Sequence, residues 1–454
     1  MLLEIGRMPN DDLISLLKDF TYSDAPTDEL LLDHVLVEDP QVEQALIKLI
    51  TSRTTWKTIR FIGCHGNLGT VVETFLVGGH CEAMEMKGCE RDAASNVLTV
   101  LGSENKRNVL KRLALEFVTF TEPMTQSLVN FLAGNAACEL EELRLIECCF
   151  HDTFHELCCG IHRSNSIQRL EVSGCHVTDT MMVCLIHAIS SGKVSNNITH
   201  LNLSNSLVRN QGIQALADWM SSFSGPTKLQ YLDLSFQHVY DPLNWSPLWT
   251  SLCHVSQSLT YLDVSCNLLS ENDIMSVASV VRCIGTLEHI YLCNRHGAHQ
   301  KDSNYNTRNS RQRSMGLRRQ EPVQQVQTMN GWIRAVHDNP NLQTVELTVD
   351  ASQPMLISLQ QDLWYKTLWN QVYAPSMLIH TDHNYIPHSL WPRYLERLHH
   401  HLSDATTNIQ YKKKTTRKYV GTVLCTYPPK EVALTMVYSL LRQFPYLVSR
   451  QGHC

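Results

Sequence analysis

The chain has 454 residues, of which 43% are hydrophobic and 18% charged, with a formal net charge of −6. This is a globular composition with ample core material, and its mild acidity argues against a general nucleic-acid binder, which needs a basic balance. No stretch approaches the ~18 apolar residues of a membrane helix, and MLLEIGRMPNDD breaks into charge too early for a signal peptide. The expectation is a protein of the cytoplasm or nucleus, with no membrane association and its 16 cysteines mostly thiols.

Residues 1–55 are expected to form an N-terminal helical cap. Val42, Ala45, Leu46, Leu49 and Ile50 fall at helical spacing, after LLLDHVLVED, a candidate degenerate first strand. The earlier MPNDDLISLL resembles the start of an F-box, the helical module that recruits ubiquitin-ligase machinery; the rest of that pattern does not follow.

From Trp56 a single phrase recurs. It reads WKTIRFIGC at Trp56, CEAMEMKGC at Cys81, LKRLALEFV at Leu110, LEELRLIEC at Leu140 and IQRLEVSGC at Ile167. It continues as ITHLNLSNS at Ile198, LQYLDLSFQ at Leu229, LTYLDVSCN at Leu259, LEHIYLCNR at Leu287 and, after an interruption, LQTVELTVD at Leu342. The form is L-x-x-L-x-L-x-x-N or a substitute, and it predicts about ten short strands. Strand alternation turns Leu201 and Leu203 into a core and His200, Asn202 and Ser204 to the other side. No copy buries its apolar row alone, so the copies must stack into a parallel sheet.

The strands are followed by helical spacing: Phe154, Leu157, Cys158 and Ile161; Met182, Leu185, Ile186 and Ile189; Ile213, Leu216, Ala217 and Met220; Ile274, Val277, Ala278 and Val281. Each unit is therefore strand, turn and amphipathic helix. Helices are wider than strands, so the expected α/β solenoid curves into a horseshoe, with a concave parallel sheet and outer helices. These features resemble the ribonuclease-inhibitor-like leucine-rich-repeat family over residues 56–350. The resemblance implies a non-catalytic protein-interaction scaffold or adaptor. It also admits a ubiquitin-ligase substrate receptor, a GTPase activator or a ribonuclease inhibitor, and it leaves the protein partner and oligomeric state open.

Residues 294–328 read as a basic insertion, with seven Lys/Arg against one Asp between Arg295 and Arg319. Such a segment has too few apolar residues to offset its ordering entropy. Nuclear import or polyanion contact is a further reading of it and of KKKTTRK at 412–418. Helical spacing returns at Met329, Trp332, Ile333 and Val336. Residues 351–454 are expected to be a C-terminal cap, ending in a helix through Ala433, Met436, Val437, Leu440, Leu441 and Phe444.

The cluster Cys148, Cys149, His151, His155, Cys158, Cys159 and His162 has the donors of a zinc site. The repeat explains it better: Cys148 fills the last phrase position, as do Cys64, Cys89, Cys175 and Asn267, where a small polar group can serve turn backbone. His399, His400 and His401 are consecutive and point around a helix. No metal, cofactor or catalytic residue is expected: Gly192-Lys193 lacks phosphate-loop spacing, and no nucleophile elbow or H-E-x-x-H is present. The candidate partner-binding residues are the outward column His200, Tyr231, Tyr261 and His289, with Asp233, Asp263 and Tyr291 in the next. In a parallel stack equivalent positions lie about 4.8 Å apart, and aromatic rings beside polar groups suit a binding hot spot. Asp in "LDLS" also occurs as plain repeat consensus, and like side chains can stabilise stacking. The earlier half mixes Arg60, Lys87, Arg112, Arg144 and Arg169 with Glu85, Glu116 and Glu171, as a self-compensated face would.

Overall fold

A computed structural model describes residues 2–6, 8–21, 28–52, 56–77, 81–103, 110–134, 139–192, 197–223, 227–237, 243–293 and 322–347, with isolated positions between 359 and 370. The chain divides into two compact units, Met1–Leu268 and Leu269–Cys454. The core of the basic insertion, the C-terminal cap, its terminal helix and the three consecutive histidines lie outside the described residues.

In the first unit, strand and helix alternate throughout. The elements are β1 (Leu2–Ile5), α1 (Asn10–Thr21), β2 (Glu29–Asp33), β3 (Leu36–Val37), α2 (Pro40–Thr51), β4 (Thr58–Ile62), β5 (His65–Gly66) and α3 (Gly69–Val77). There follow β6 (Ala83–Lys87), α4 (Arg91–Leu101), β7 (Arg112–Glu116), α5 (Glu122–Ala133), β8 (Glu142–Ile146), α6 (Phe154–Arg163), β9 (Arg169–Ser173) and α7 (Asp179–Ser191). The unit closes with β10 (His200–Asn202), α8 (Asn210–Ser221), β11 (Tyr231–Asp233), α9 (Ser246–Ser251) and β12 (Tyr261–Asp263). Apart from the small β3–β5 pair, the strands stand side by side in chain order, all parallel. Every phrase from Trp56 to Leu259 supplies one strand, in the expected register: Arg169, His200, Tyr231 and Tyr261 are aligned. Leu201, Leu203, Leu232 and Leu262 are buried in the core, as are the helical stripes such as Leu157, Ile161, Leu185 and Leu216. This is a leucine-rich-repeat α/β solenoid.

The N-terminal stretch differs from a helical cap. β1 and β2 join the same sheet, with Leu3↔Leu30 and Leu30↔Ile59 aligned, and MPNDDLISLL enters α1, where Leu13 and Leu17 are buried. The period-2 burial of Leu30 and Leu32 between Glu29, Leu31 and Asp33 explains the pairing: this is a repeat strand without the repeat's consensus leucines at the flanks.

Two positions per coil set the turn that leaves each strand. The residue before the last of each phrase has a left-handed backbone: His34, Gly63, Gly88, Phe117, Glu147, Gly174, Asn205, Phe236 and Cys266 take φ between 50 and 68°. Glycine is unstrained there, and at Gly63 a side chain would lie 2.6 Å from the His34 ring. In most phrases the last residue then points inward and donates to a carbonyl of the preceding coil; Val118 instead fills the position with a buried apolar side chain, and Ser206 Oγ donates to Ser204 O of its own coil. Cys64 Sγ donates to Leu32 O (3.2 Å), Cys148 to Leu115 O (3.2 Å), Cys175 to Leu145 O (3.3 Å) and Asn267 Nδ2 to Leu234 O (2.9 Å). Gln237 does the same with Leu203 O at 3.0 Å, while Asn267 Oδ1 accepts from Gln237 N at 2.8 Å. The cysteines of the column thus hold backbone.

The second unit contains α10 (Glu271–Val281), β13 (His289–Leu292), α11 (Pro322–Asp338) and β14 (Thr344–Leu347), with β13 and β14 parallel and His289 aligned with Thr344. α11 begins inside the segment expected as an insertion to residue 328, because Pro322 suits a first helical turn and Thr328, Met329 and Trp332 are buried. Trp332 Nε1 donates to Ile274 O (3.2 Å), and Asn339 Nδ2 to Ile284 O (2.8 Å), tying α11 to α10 and its exit.

Two stability outcomes follow. Leu201→Ala is expected to lower unfolding free energy by roughly 2–5 kcal/mol, while His200→Ala, which removes one stacked ring, costs about 1 kcal/mol; equal losses in denaturant titrations would contradict the register. Asn267→Ala takes the acceptor from Gln237 N and the Nδ2 donor from Leu234 O and Val264 O, of which Leu234 O keeps Gln237 Nε2, and is expected to cost about 2 kcal/mol. Cys148→Ser keeps a donor and should change the midpoint little.

Candidate protein-interaction site

On the open side of the first unit's sheet, aligned side chains form a ring ladder. The Tyr231 and Tyr261 rings stack at 4.2 Å between centroids with 11° between planes, and His200 stacks on Tyr231 at 5.6 Å and 18°. The register forces this: parallel strands place equivalent side chains at the strand spacing, which suits offset aromatic stacking. All three rings are half-buried. Burial, with Asp233 beside it, pushes the Tyr231 phenol well above its ordinary range; burial and Asp263 do the same at Tyr261. Both remain phenols at physiological pH. Burial and the Arg169 charge hold the His200 imidazole below its usual value, which favours the neutral ring.

The next column has a structural task. Ser204 N donates to Asn202 Oδ1 (3.0 Å), Ser235 N to Asp233 Oδ1 (2.9 Å) and Ser265 N to Asp263 Oδ1 (2.8 Å). Each side chain captures the N–H two residues on, an Asx turn that ends the strand. This accounts for the three-residue length of β10, β11 and β12 against five in β4 and β6 to β9. The consensus reading of "LDLS" is therefore correct as far as it goes. The tyrosine hydroxyls lean on the other carboxylate oxygens, Tyr231 Oη to Asp233 Oδ2 at 3.4 Å and Tyr261 Oη to Asp263 Oδ2 at 3.5 Å. Asp233 is not the outward-facing group expected: it is 8% exposed, enclosed by its own turn, and Asp263 is half-buried. Burial pushes the Asp233 carboxyl above its ordinary value, with the Glu171 charge adding to the rise.

The earlier half of this face is paired across strands. Arg60 Nε lies 3.0 Å from Glu85, Lys87 Nζ 2.8 Å from Glu116, and Arg144 Nε 2.7 Å from Glu171. These half-exposed pairs contribute little to stability individually, but they neutralise the face. In the second unit, His289 Nδ1 lies 3.1 Å from Thr344 Oγ1, burial lowers the His289 pKa, and Tyr291 is half-buried opposite Glu346.

The cysteine–histidine cluster is dispersed. Cys148 is in the ladder and Cys158 in the core of α6, where burial raises its thiol pKa; Cys149 contacts His151 (3.4 Å) and His155 contacts Cys184 (3.2 Å). Among the described residues no group of three or more His, Cys, Asp or Glu is arranged to hold a metal ion, and the described cysteines are free thiols.

The left-handed column was not legible as surface. Phe117 and Phe236 stand there with 48% and 41% exposure, and Lys87 Nζ lies 5.8 Å from the Phe117 ring centroid. A bulky residue with positive φ is strained; the available signal was the fixed offset of these residues from each phrase's last leucine.

The raised Asp233 pKa has a testable sign. A carboxyl whose folded pKa exceeds its unfolded value loses stability as pH rises from the unfolded value through the folded one, and the loss is complete above it. Asn keeps the turn acceptor, as Asn202 shows one strand earlier. Asp233→Asn is therefore expected to match or exceed the parent's melting temperature at pH 7, with the difference shrinking as pH falls through the carboxyl range. A lower melting temperature at pH 7 that persists in acid would contradict it.

No family model matches the sequence, and a search of curated proteins finds no match. The fold is similar to that of solved chains that include a crystal structure of an internalin from Listeria monocytogenes. That similarity has 11% sequence identity and a TM-score of 0.34, and covers 76% of this chain and 91% of that one. The leucine-rich-repeat assignment stands on the strand register and inward leucines described above.

Proposed function

We propose that this chain is a non-catalytic scaffold or adaptor that binds a protein partner through the open, strand-side face of its repeats, the concave face of the horseshoe expected of such units. His200, Tyr231, Asp233, Tyr261 and Asp263 form the contact patch of the first unit. His289 and Tyr291 are contact candidates of the second unit in its own right. The supporting observation is the ring ladder with carboxylates packed along it, on a face whose earlier half neutralises itself. Rigid aromatic surface of this kind binds with small entropic cost. No cofactor enters the reading. The ribonuclease-inhibitor-like subclass, supported by strand–helix units, and a cytoplasmic or nuclear setting belong to it. No observation favours a ubiquitin-ligase receptor, a GTPase activator or a ribonuclease inhibitor; the F-box-like stretch spends Leu13 and Leu17 on the core.

Affinity purification with the intact chain, read by mass spectrometry, identifies the partner. Against that partner, Tyr231→Ala with Tyr261→Ala is expected to cost more than about 1 kcal/mol of binding. Gln214→Ala with Asp218→Ala, exposed on α8, should cost nothing measurable. The reverse pattern would place binding on the helices and contradict the proposal.

A further inference from the structure

Thiols pair across adjacent coils, and the pairs differ in what surrounds them. Cys64 with Cys89 and Cys148 with Cys175 meet in the strand-exit column, where all four are buried and each reaches a backbone carbonyl. Another pair joins Cys158 of α6 to Cys184 of α7, whose thiols hydrogen-bond between the two packed helices. Cys158 is 2% exposed, whereas Cys184 is partly open to solvent. His155 stands three residues before Cys158, so the two share a face of α6, and its Nδ1 lies 3.2 Å from Cys184 Sγ. One accessible sulfur therefore meets both an imidazole and a second thiol. Core packing accounts for Cys158 alone; it gives no reason for an exposed imidazole held against the partly open thiol of the next helix.

We propose that Cys184 is a site of reversible oxidation by a hydroperoxide, with His155 as its proton acceptor and Cys158 as the thiol that closes a disulfide. With the imidazole proton on Nε2, His155 Nδ1 takes the proton of Cys184 Sγ, and the thiolate attacks the outer oxygen of the hydroperoxide. The O–O bond breaks, the leaving alkoxide departs as an alcohol with the proton held by His155, and Cys184 becomes a sulfenic acid. Cys158 Sγ then attacks Cys184 Sγ. The S–S bond forms, the S–O bond breaks, and hydroxide leaves as water with the Cys158 proton. Two thiols have lost two electrons, and the hydroperoxide has gained them. The order of attack follows from the surroundings. Burial and the neighbouring Cys184 hold the Cys158 thiol well above its ordinary range, so it keeps its proton while the accessible sulfur reacts first. Closing the bridge brings the sulfurs to about 2.05 Å, an adjustment of two side chains already in contact. The column pairs are shielded from the oxidant by their burial.

The test treats the intact, reduced chain with hydrogen peroxide, quenches it at intervals by alkylation and maps the peptides by mass spectrometry. The expected product is a Cys158–Cys184 linkage, formed roughly tenfold faster than the exposed Cys253 and Cys283 are oxidised, and reversed by dithiothreitol. His155→Gln should slow the reaction about tenfold or more and move its rate profile to more alkaline pH, with circular dichroism unchanged. In Cys158→Ser, Cys184 should accumulate as a sulfenic acid that dimedone traps. The comparison with Cys253 and Cys283 uses the unaltered chain and does not depend on how the variants fold. Oxidation of Cys184 no faster than theirs, or a linkage that omits Cys158, would overturn the proposal. An unchanged rate in folded His155→Gln would overturn it too. Zinc bound by the reduced chain and lost in Cys184→Ser would make these groups metal ligands and overturn it as well.

Discussion

At Cys64, Cys89, Cys148, Cys175, Gln237 and Asn267 a coil of the first unit is closed by an inward side-chain donor that reaches back to a carbonyl of the coil before it, whereas Val118 fills the same position with an apolar side chain and Ser206 Oγ donates within its own coil. Where the donor is an amide, as at Gln237 and Asn267, its oxygen also takes a backbone N–H, so one side chain serves neighbouring coils. A buried peptide group without a partner costs about 1–3 kcal/mol, and a parallel array of short strands leaves such a group at every strand exit. The column at Cys64, Cys148, Cys175, Gln237 and Asn267 answers that need. The thiols do it with weak donors at 3.2–3.3 Å and the amides with strong ones at 2.9–3.0 Å. Where a donor fills the column it helps to pin the strand register, because a slip of one residue would reverse every side chain.

The open face inherits its geometry from that register. Alignment of His200, Tyr231 and Tyr261 makes the ring ladder unavoidable once aromatic residues occupy the position. The ladder therefore contributes to stacking as well as offering surface, and the two roles are distinguished by what stacking does not explain: the charges of Asp233 and Asp263. Backbone closure accounts for an oxygen at those positions and not for its ionisation.

The repeat made most of the fold legible. Fixed spacing located the strands from Trp56 onward, and i, i+3, i+4 spacing located the helices, since both are direct consequences of how side chains alternate on a strand or a helix. Two places escaped. The strand at Leu2–Ile5, which pairs with the candidate first strand at Glu29–Asp33, carries no repeat phrase; the first turns of the helix from Pro322 were hidden behind the polar sequence that precedes them. At the site, the column of His200, Tyr231 and Tyr261 could be read because register alone determines it. The burial of Asp233, its Asx turn and the strained exposed Phe117 and Phe236 could not, because they depend on backbone dihedrals at the strand exit that the residue types do not announce.

Hydroxyl-radical footprinting of the chain, free and saturated with its purified partner, addresses the central claim directly. The account predicts that oxidation of Tyr231 and Tyr261 falls on binding, while side chains exposed on the outer helices, such as Met275 on α10, react at the same rate in both states. Protection confined to the outer helices, with Tyr231 and Tyr261 unchanged, would contradict it.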